Sequence, residues 1–267
     1  MKEYGDSDMK DSNLNVPVRN ILGVPVYAAT IGQVLDCIDV AIKQRNPLHI
    51  GVVNAAKIVN MHRDPLLMDD VMSSDIVLAD GAAVVWAGKI LGQTLPERVA
   101  GIDLMHGVFE RGMERHYRVY CLGATEEVSR IVAERIAQQY PGVILAGRRN
   151  GYFKEEEEEG IAQDIRESNA DVLFVAMTSP RKENFMAKWG EKMAVPVCHG
   201  VGGSFDVMAG KVERAPECWQ KYGLEWLYRV KQEPGRLWKR YLVTNTLFCW
   251  MVLKSWVSAL FRRRQGT

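Results

Sequence analysis

The sequence predicts an α/β protein, a mostly parallel sheet with flanking helices, followed by a basic helical appendage. Short apolar runs alternate with helix-patterned segments over about 170 residues, the arrangement of βαβ units. Those runs end at Asn54, Asp80, Gly123, Ser179-Pro180 and Gly200, and open parallel sheets bind ligands beyond the carboxyl ends of their strands. After residue 210 the composition changes from acidic to basic. These features divide the chain into a frayed end over 1–18, an α/β domain over 19–210 and an appendage over 211–267.

The first sixteen residues are polar and partly acidic, with no apolar core segment, so no secretory signal is expected. Thr30-Ile31-Gly32-Gln33 has a capping-box pattern, and Ile31, Val34, Leu35, Ile38, Ala41 and Ile42 keep helical spacing until Asn46-Pro47 stops them. Leu48 to Val53 reads as a strand ending at Asn54, with a helix from Ala55. Ile76 to Ala79 is a second strand, ending at Asp80-Gly81 and feeding a helix over about 82–91. Arg118 to Leu122 ends at Gly123, and Thr125 is placed to cap the helix beyond. Val143 to Ala146 is a shorter strand before the Asn150-Gly151 turn. Glu155 to Glu159 reads as a solvated first helical turn, favoured there by the helix dipole. Asp171 to Met177 and Val195 to Cys198 complete the strands.

With 47% hydrophobic and 25% charged residues, the composition is that of an ordinary folded protein with one sizeable core. The five cysteines, at 37, 121, 198, 218 and 249, have no CxxC or metal spacing. Their odd number argues against a disulfide framework, and the four that sit in apolar runs read as reduced core residues. From Lys211 onward twelve Lys and Arg face four acidic residues, a net +8, whereas residues 1–210 carry −7 of the chain's total +1. Five of the seven tryptophans, 219, 226, 238, 250 and 256, lie in this basic part. Trp with Lys and Arg favours an anionic membrane interface over nucleic acid. The apolar run 242–261 reaches the length of a bilayer span, but Lys254 lies within it and Thr244, Asn245 and Thr246 weaken its start. A helix lying in the interface or entering it obliquely is therefore expected rather than a full span. A core-packing or dimer-forming helix is disfavoured by Arg262, Arg263 and Arg264 at its end.

Gly200-Val201-Gly202-Gly203-Ser204-Phe205-Asp206 is the segment with most chemistry. Its glycines let backbone N–H groups approach a phosphate or sugar, and Asp206 is the first fixed charge after them. A tight strand-to-helix turn explains the glycines equally well. Asp80 can cap the following helix or act as a general base, its pKa raised by partial burial. Arg98 can pair with Glu97 or Asp103 on the surface, or bind a diphosphate. Asp103 reads as a helix N-cap, and His199 as either a ligand contact or a core histidine. Asp6-Ser7-Asp8 has DxD spacing but falls in the frayed end, so no metal site is expected. Gly123-Ala124-Thr125 lacks the full GxGxxG fingerprint, which argues against a nicotinamide enzyme.

Asn54, Leu78-Ala79-Asp80-Gly81, Glu97 to Asp103, Ser179-Pro180-Arg181-Lys182-Glu183, Gly200 to Asp206, Arg214-Ala215-Pro216 and Leu224 to Arg229 together resemble the WecG/TagA/CpsF family of bacterial glycosyltransferases. The resemblance runs from about residue 20 to 245. It implies a Rossmann-like α/β domain with a C-terminal membrane-associating appendage. It also implies inverting, metal-independent transfer from a UDP-sugar, typically UDP-N-acetylmannosamine, to a polyprenyl-diphosphate-linked sugar at the cytoplasmic membrane face, with no cofactor.

By the same resemblance Asp80 is the catalytic base and Arg98 lies near the donor diphosphate. Asn54, Gly81, Gly123, Lys182, Gly200, Gly202, Gly203 and Asp206 would hold the nucleotide-sugar, and Arg229, Arg236 and Lys239 would be supplied by the appendage. Three positions depart from the family pattern: Val52 for a frequent Thr, Ala55-Ala56 for Pro-Glu, and Lys182 for a common Gln. Val52 and Lys182 keep open a rival reading, a catalytically silent, membrane-recruited nucleotide-sugar-binding module. A homo-oligomer is left open.

Overall fold

A computed structural model describes residues 14–265, apart from the side chains of Arg236 and residues 262–265. Asp6 and Asp8 therefore lie outside the described residues. Val18–Ile21 (β1) and Val24–Tyr27 (β2) form an antiparallel hairpin turned by Leu22 and Gly23, both at positive φ, as tight two-residue hairpins require. The sequence reading missed it. Two four-residue strands give little periodicity, and leucine is an unusual left-handed turn residue. Leu14, just before the hairpin, is already buried.

Ile31–Gln44 (α1) carries the expected capping box: Thr30 accepts from the Gln33 amide, and the Gln33 side chain accepts from the Thr30 amide. Then come Leu48–Val53 (β3), Ala55–Met61 (α2), Pro65–Met72 (α3), Ile76–Ala79 (β4), Ala82–Ile90 (α4), Gly101–Arg115 (α5) and Arg118–Gly123 (β5). Glu126–Gln139 (α6) is capped by Thr125, as expected. Ile144–Arg149 (β6) starts a residue later than expected and runs longer. A short 3-10 turn over Glu155–Glu157 leads into Glu158–Glu167 (α7), so the acidic run does open a helix. Val172–Ala176 (β7), Arg181–Met193 (α8), Val197–Gly200 (β8), Ser204–Met208 (α9), Glu217–Lys221 (α10), Glu225–Gln232 (α11) and Pro234–Gln265 (α12) complete the order.

Six strands form one sheet in the order β4-β3-β8-β7-β5-β6, with every neighbouring pair parallel. This is the predicted α/β class. The last strand, β8, is inserted between β3 and β7, so the C-terminal ends of β3 and β8 lie side by side. β8 also runs two residues further than expected. Its ladder with β7 continues to Val175↔Gly200, which makes Gly200 a strand residue rather than part of the turn. On one face the sheet buries α1, α5 and α6. On the other, α2, α3 and α4 pack with the hairpin, and α7 and α8 form a neighbouring cluster.

The appendage corrects an expectation. Leu237, Thr244, Phe248 and Val252 are buried, at spacings of seven and four that make one helical stripe. Phe248 and Val252 join the core cluster of α2 and α4. The arginines at the end of α12 do not prevent this, because they follow the packed stripe by more than two turns. Trp238, Leu242, Val243, Trp250, Leu253, Trp256, Leu260 and Phe261 remain exposed. Among the described residues no helix is long and apolar enough to cross a membrane. Cys37, Cys121 and Cys198 are buried as expected, whereas Cys218 and Cys249 are exposed, Cys249 on the outer side of α12.

Candidate functional site

The strand ends position the expected residues as a row. Asn54 follows β3 and caps α2, its side chain accepting the Lys57 amide at 3.0 Å. Asp80 follows β4 in the adjacent position, and its amide donates to the Val53 carbonyl. The Asp80 carboxylate accepts through Oδ1 from the amide of Gly101 at 3.1 Å, so it caps α5 rather than the helix next to it in sequence. Its other oxygen makes no hydrogen bond among the described residues. Gly81 begins α4 beside Asn54, and Gly123 ends β5, separated from β8 by β7.

The glycine segment splits in two. Gly200 is required by close packing, since a Cβ there would stand 2.7 Å from the Cδ of Lys182. Gly202 has φ +55°, and neither it nor Gly203 has a neighbour where a Cβ would point, so those two form the open part. Asp206 lies in the first turn of α9; its backbone carbonyl accepts from the Lys211 and Val212 amides, and its side chain makes no hydrogen bond or ion pair among the described residues. A free carboxylate there suits hydrogen-bond donors on a ligand.

Beneath Gly200 lies a buried charge cluster that the sequence reading found only in part. Glu183 Oε1 accepts from Lys57 Nζ at 2.7 Å and pairs with Lys182 Nζ at 3.3 Å, and all three side chains are at least nine-tenths buried. Burial would raise the Glu183 carboxyl, but Lys182 and Lys57 together hold it well below its usual range. Burial and then the neighbouring Lys57 push Lys182 down to about 8, against the opposing pull of Glu183 and Asp80. Glu183 Oε2 is buried without a partner and faces a cavity of about 20 Å³ lined by Lys57, Lys182, Asp70 and Gly200. That is room for about one water. His199, in β8, is a core residue. Burial pushes it down to about 4, and it faces the Ile50 carbonyl and the Gly101 backbone as a neutral imidazole.

Arg98 makes one of the two expected pairs, with Asp103, and gains an unexpected partner from the appendage. Glu97 instead accepts the Ile31 amide at 2.5 Å, capping α1. Arg98 pairs with Asp103 at 3.5 Å and donates to Glu225, the first residue of α11. Arg214 closes the set, binding Asp103 at 2.6 Å and lying 3.9 Å from Glu225. Asp103 is therefore an ion-pair partner in the first turn of α5, whose N-cap is Ala100. From the appendage side the structure brings Arg214 and Glu225 to this loop. Arg229 and Lys239 are exposed and make no ion pair among the described residues, Lys239 lying 5.6 Å from the Trp238 ring centroid. The Arg236 side chain lies outside the described residues. The sequence signals that could have found Arg214 and Glu225 were the Arg-Ala-Pro and Leu-Glu-Trp blocks, which carry no local spacing that names a partner.

The arrangement joins a half-buried carboxylate with one free oxygen, an open glycine turn and several cations at adjacent strand ends. It can accept a proton beside a bound anion. Among the described residues no group of three or more His, Cys, Asp or Glu is placed to hold a metal ion.

A model of the WecG/TagA/CpsF family of glycosyl transferases matches residues 19–262. A Bacillus spizizenii protein named N-acetylglucosaminyldiphosphoundecaprenol N-acetyl-beta-D-mannosaminyltransferase is 38% identical over 170 residues, which cover 64% of this chain and 65% of that protein. A Bacillus subtilis protein of the same name is 33% identical over 193 residues, covering 72% of this chain and 74% of the relative. The match thus spans about two thirds of the first relative's length.

Proposed function

The chain belongs to the WecG/TagA/CpsF family of glycosyl transferases, and from that premise we propose that it is a hexosyltransferase using a UDP-sugar. The donor would carry N-acetylmannosamine or a related hexose. The acceptor would be a polyprenyl-diphosphate-linked sugar, serving cell-envelope polysaccharide or teichoic acid-type synthesis. The relatives' printed names, which specify an N-acetylglucosaminyl-diphosphoundecaprenol acceptor and an N-acetylmannosaminyl group, support that choice.

The observation that carries the reading is the placement of Asp80 at the end of β4, held by the Gly101 amide through one oxygen. In an inverting displacement the free oxygen takes the proton from the acceptor hydroxyl as that oxygen attacks the anomeric carbon. The bond from that carbon to the diphosphate breaks on the opposite face, and UDP leaves with the electron pair. Without a metal, protein cations must meet the charge of the leaving group, a preorganised electrostatic role. Lys182 beneath Gly200 and Arg98 are the candidates. Asn54, Gly81, Gly123, Gly202, Gly203 and Asp206 would hold the nucleotide-sugar.

The protein would work attached peripherally to the inner face of the plasma membrane. The supporting observation is the exposed aromatic and basic side of α12, opposite its packed stripe.

The test is release of UDP from a panel of UDP-sugars, with and without a polyprenyl-diphosphate-linked N-acetylglucosamine, in the presence and absence of EDTA. Acceptor-dependent UDP release that survives EDTA is expected. Binding of UDP with no transfer to any acceptor would favour a silent binding module, and restoration of an EDTA-lost activity by Mg²⁺ or Mn²⁺ would overturn the metal-independent part.

A further inference from the structure

Two guanidiniums and two carboxylates form a closed ring between the body and the appendage. Arg98, 18% exposed, meets Asp103 and Glu225, and Arg214, 30% exposed, meets the other oxygens of the same two residues. The ring is electrically balanced and half-buried, with one defect. The Nε–H of Arg214 is buried without a hydrogen-bond partner, because Glu225 stands 3.9 Å away, too far to accept it. Asp103 reaches both arginines from the first turn of α5, so it fixes them side by side. Arg214 and Glu225 both come from the appendage side, and Glu225 opens α11.

We propose that Arg98 and Arg214 together form a diphosphate clamp, and that Glu225 is the resident carboxylate that fills this clamp until a diphosphate displaces it and frees α11. The inference rests on the UDP-sugar reading for the identity of its ligand, but not for its geometry. Two planar forks held next to each other match the paired oxygens of a diphosphate better than a single carboxylate can, and a diphosphate has oxygens to spare for the orphan Nε–H. The 98–103 loop also supplies the Gly101 amide that holds Asp80, so the clamp and the proposed base share one short segment. A diphosphate could come from the nucleotide donor or from the lipid-linked acceptor, and the chemistry of recognition is the same for both.

Competition gives the proposal an unusual sign. While Glu225 holds the clamp, only a fraction of molecules is ready to bind, which lowers the apparent affinity by that fraction. Removing the carboxylate should therefore tighten diphosphate binding. The experiment measures binding of UDP, of inorganic pyrophosphate and of vesicles carrying polyprenyl diphosphate to the full chain and to Glu225→Gln. Amide exchange over residues 225–232 is followed alongside.

The expected result is about tenfold tighter UDP binding by Glu225→Gln, and faster exchange over 225–232 when wild type is saturated with UDP. Arg214→Gln should weaken UDP binding by about tenfold in either background. A preference for the vesicles over UDP would assign the clamp to the acceptor. Unchanged or weaker binding by Glu225→Gln, or slower α11 exchange on adding UDP, would overturn the clamp while leaving the UDP-sugar reading intact. If no form binds UDP but pyrophosphate still speeds α11 exchange, the clamp stands and the nucleotide reading falls. The wild-type exchange measurement keeps the test decisive even if Glu225→Gln loosens the appendage.

Discussion

Asp80 at the end of β4 accepts the amide of Gly101 at the start of α5, across 21 residues of sequence and 3.1 Å of space. One oxygen of this carboxylate is used for capping, and the other is left for the proton transfer proposed for it. Asp80→Asn keeps an acceptor for Gly101 but cannot take a proton. It should leave the thermal midpoint nearly unchanged and lower turnover by roughly two to four orders of magnitude. Asp80→Ala should lose the same activity and in addition about 1 kcal/mol of stability, the typical cost of a missing cap. Near-normal turnover by the asparagine variant would leave Asp80 as a cap alone.

The Lys57–Glu183–Lys182 cluster should make stability depend on acid in a defined direction. Glu183 is held at about 2 in the folded state, against about 4.3 for an unperturbed glutamate. The depressed value means that its contribution is complete above the unfolded value and is lost as pH falls from about 5 towards about 2. Urea denaturation should show the midpoint dropping over that window in wild type and a flatter profile in Glu183→Gln. At pH 7 the variant should be less stable by about 3–5 kcal/mol, because two ammonium groups lose the charge that compensated them.

Lys182 carries a separate pH signature. Its ammonium is lost as pH rises through about 8, and in the folded protein it faces Lys57, Glu183 and Asp80 under Gly200. If that charge helps retain the leaving diphosphate, kcat/KM should fall above pH 8 in wild type. In Lys182→Gln the alkaline limb should disappear, with a lower plateau below pH 8. An unchanged limb in the variant would assign it to another group. Stability moves the opposite way, rising between about 8 and about 10.4, where the unfolded chain still holds a proton that the folded protein has released.

The two sides of α12 should separate stability from membrane binding. Phe248 is buried against α2, so Phe248→Ala should cost about 3–5 kcal/mol in chemical denaturation. Trp250 and Trp256 are exposed, and their joint replacement by alanine should change stability by less than about 0.5 kcal/mol. The same pair should weaken binding to anionic vesicles strongly, with a remaining salt-sensitive part from Lys and Arg. Vesicle binding that survives loss of both tryptophans would move the membrane contact elsewhere on the surface. Removing residues 242–267 is a harsher change than the tryptophan pair, since it also uncovers the apolar face of α2.

Much of the scaffold was legible in sequence because its causes are local. The capping residues Thr30 and Thr125 act within three residues, and the apolar runs at 48–53, 76–79, 118–122 and 171–177 announce buried parallel strands by composition alone. The shared placement of Asn54, Asp80 and the glycine segment at strand ends also follows from the run boundaries. α3 was overlooked although Asp64-Pro65 is a start signal, because eight residues with a weak apolar face give little periodicity.

What the tertiary structure alone decided are the partners across long separations. Arg98 and Glu225 are 127 residues apart, and Lys57 and Glu183 are 126 apart. No spacing rule links such residues, because ion pairs depend on which elements the chain packs side by side. Inserting β8 between β3 and β7 pairs His199 with Ile50 of β3 and lays the Lys182 stem against Gly200. The same packing decided the fate of α12. Its composition allowed an interface helix, but hydrophobic burial is settled by the surface that is available, and α2 and α4 offered an apolar face that took Phe248 and Val252. Local sequence settled the strands, their ends and the charge of the appendage. Only the fold determined that Arg98 would be held by a carboxylate from α11, because charges select partners from whatever the packed elements bring within reach.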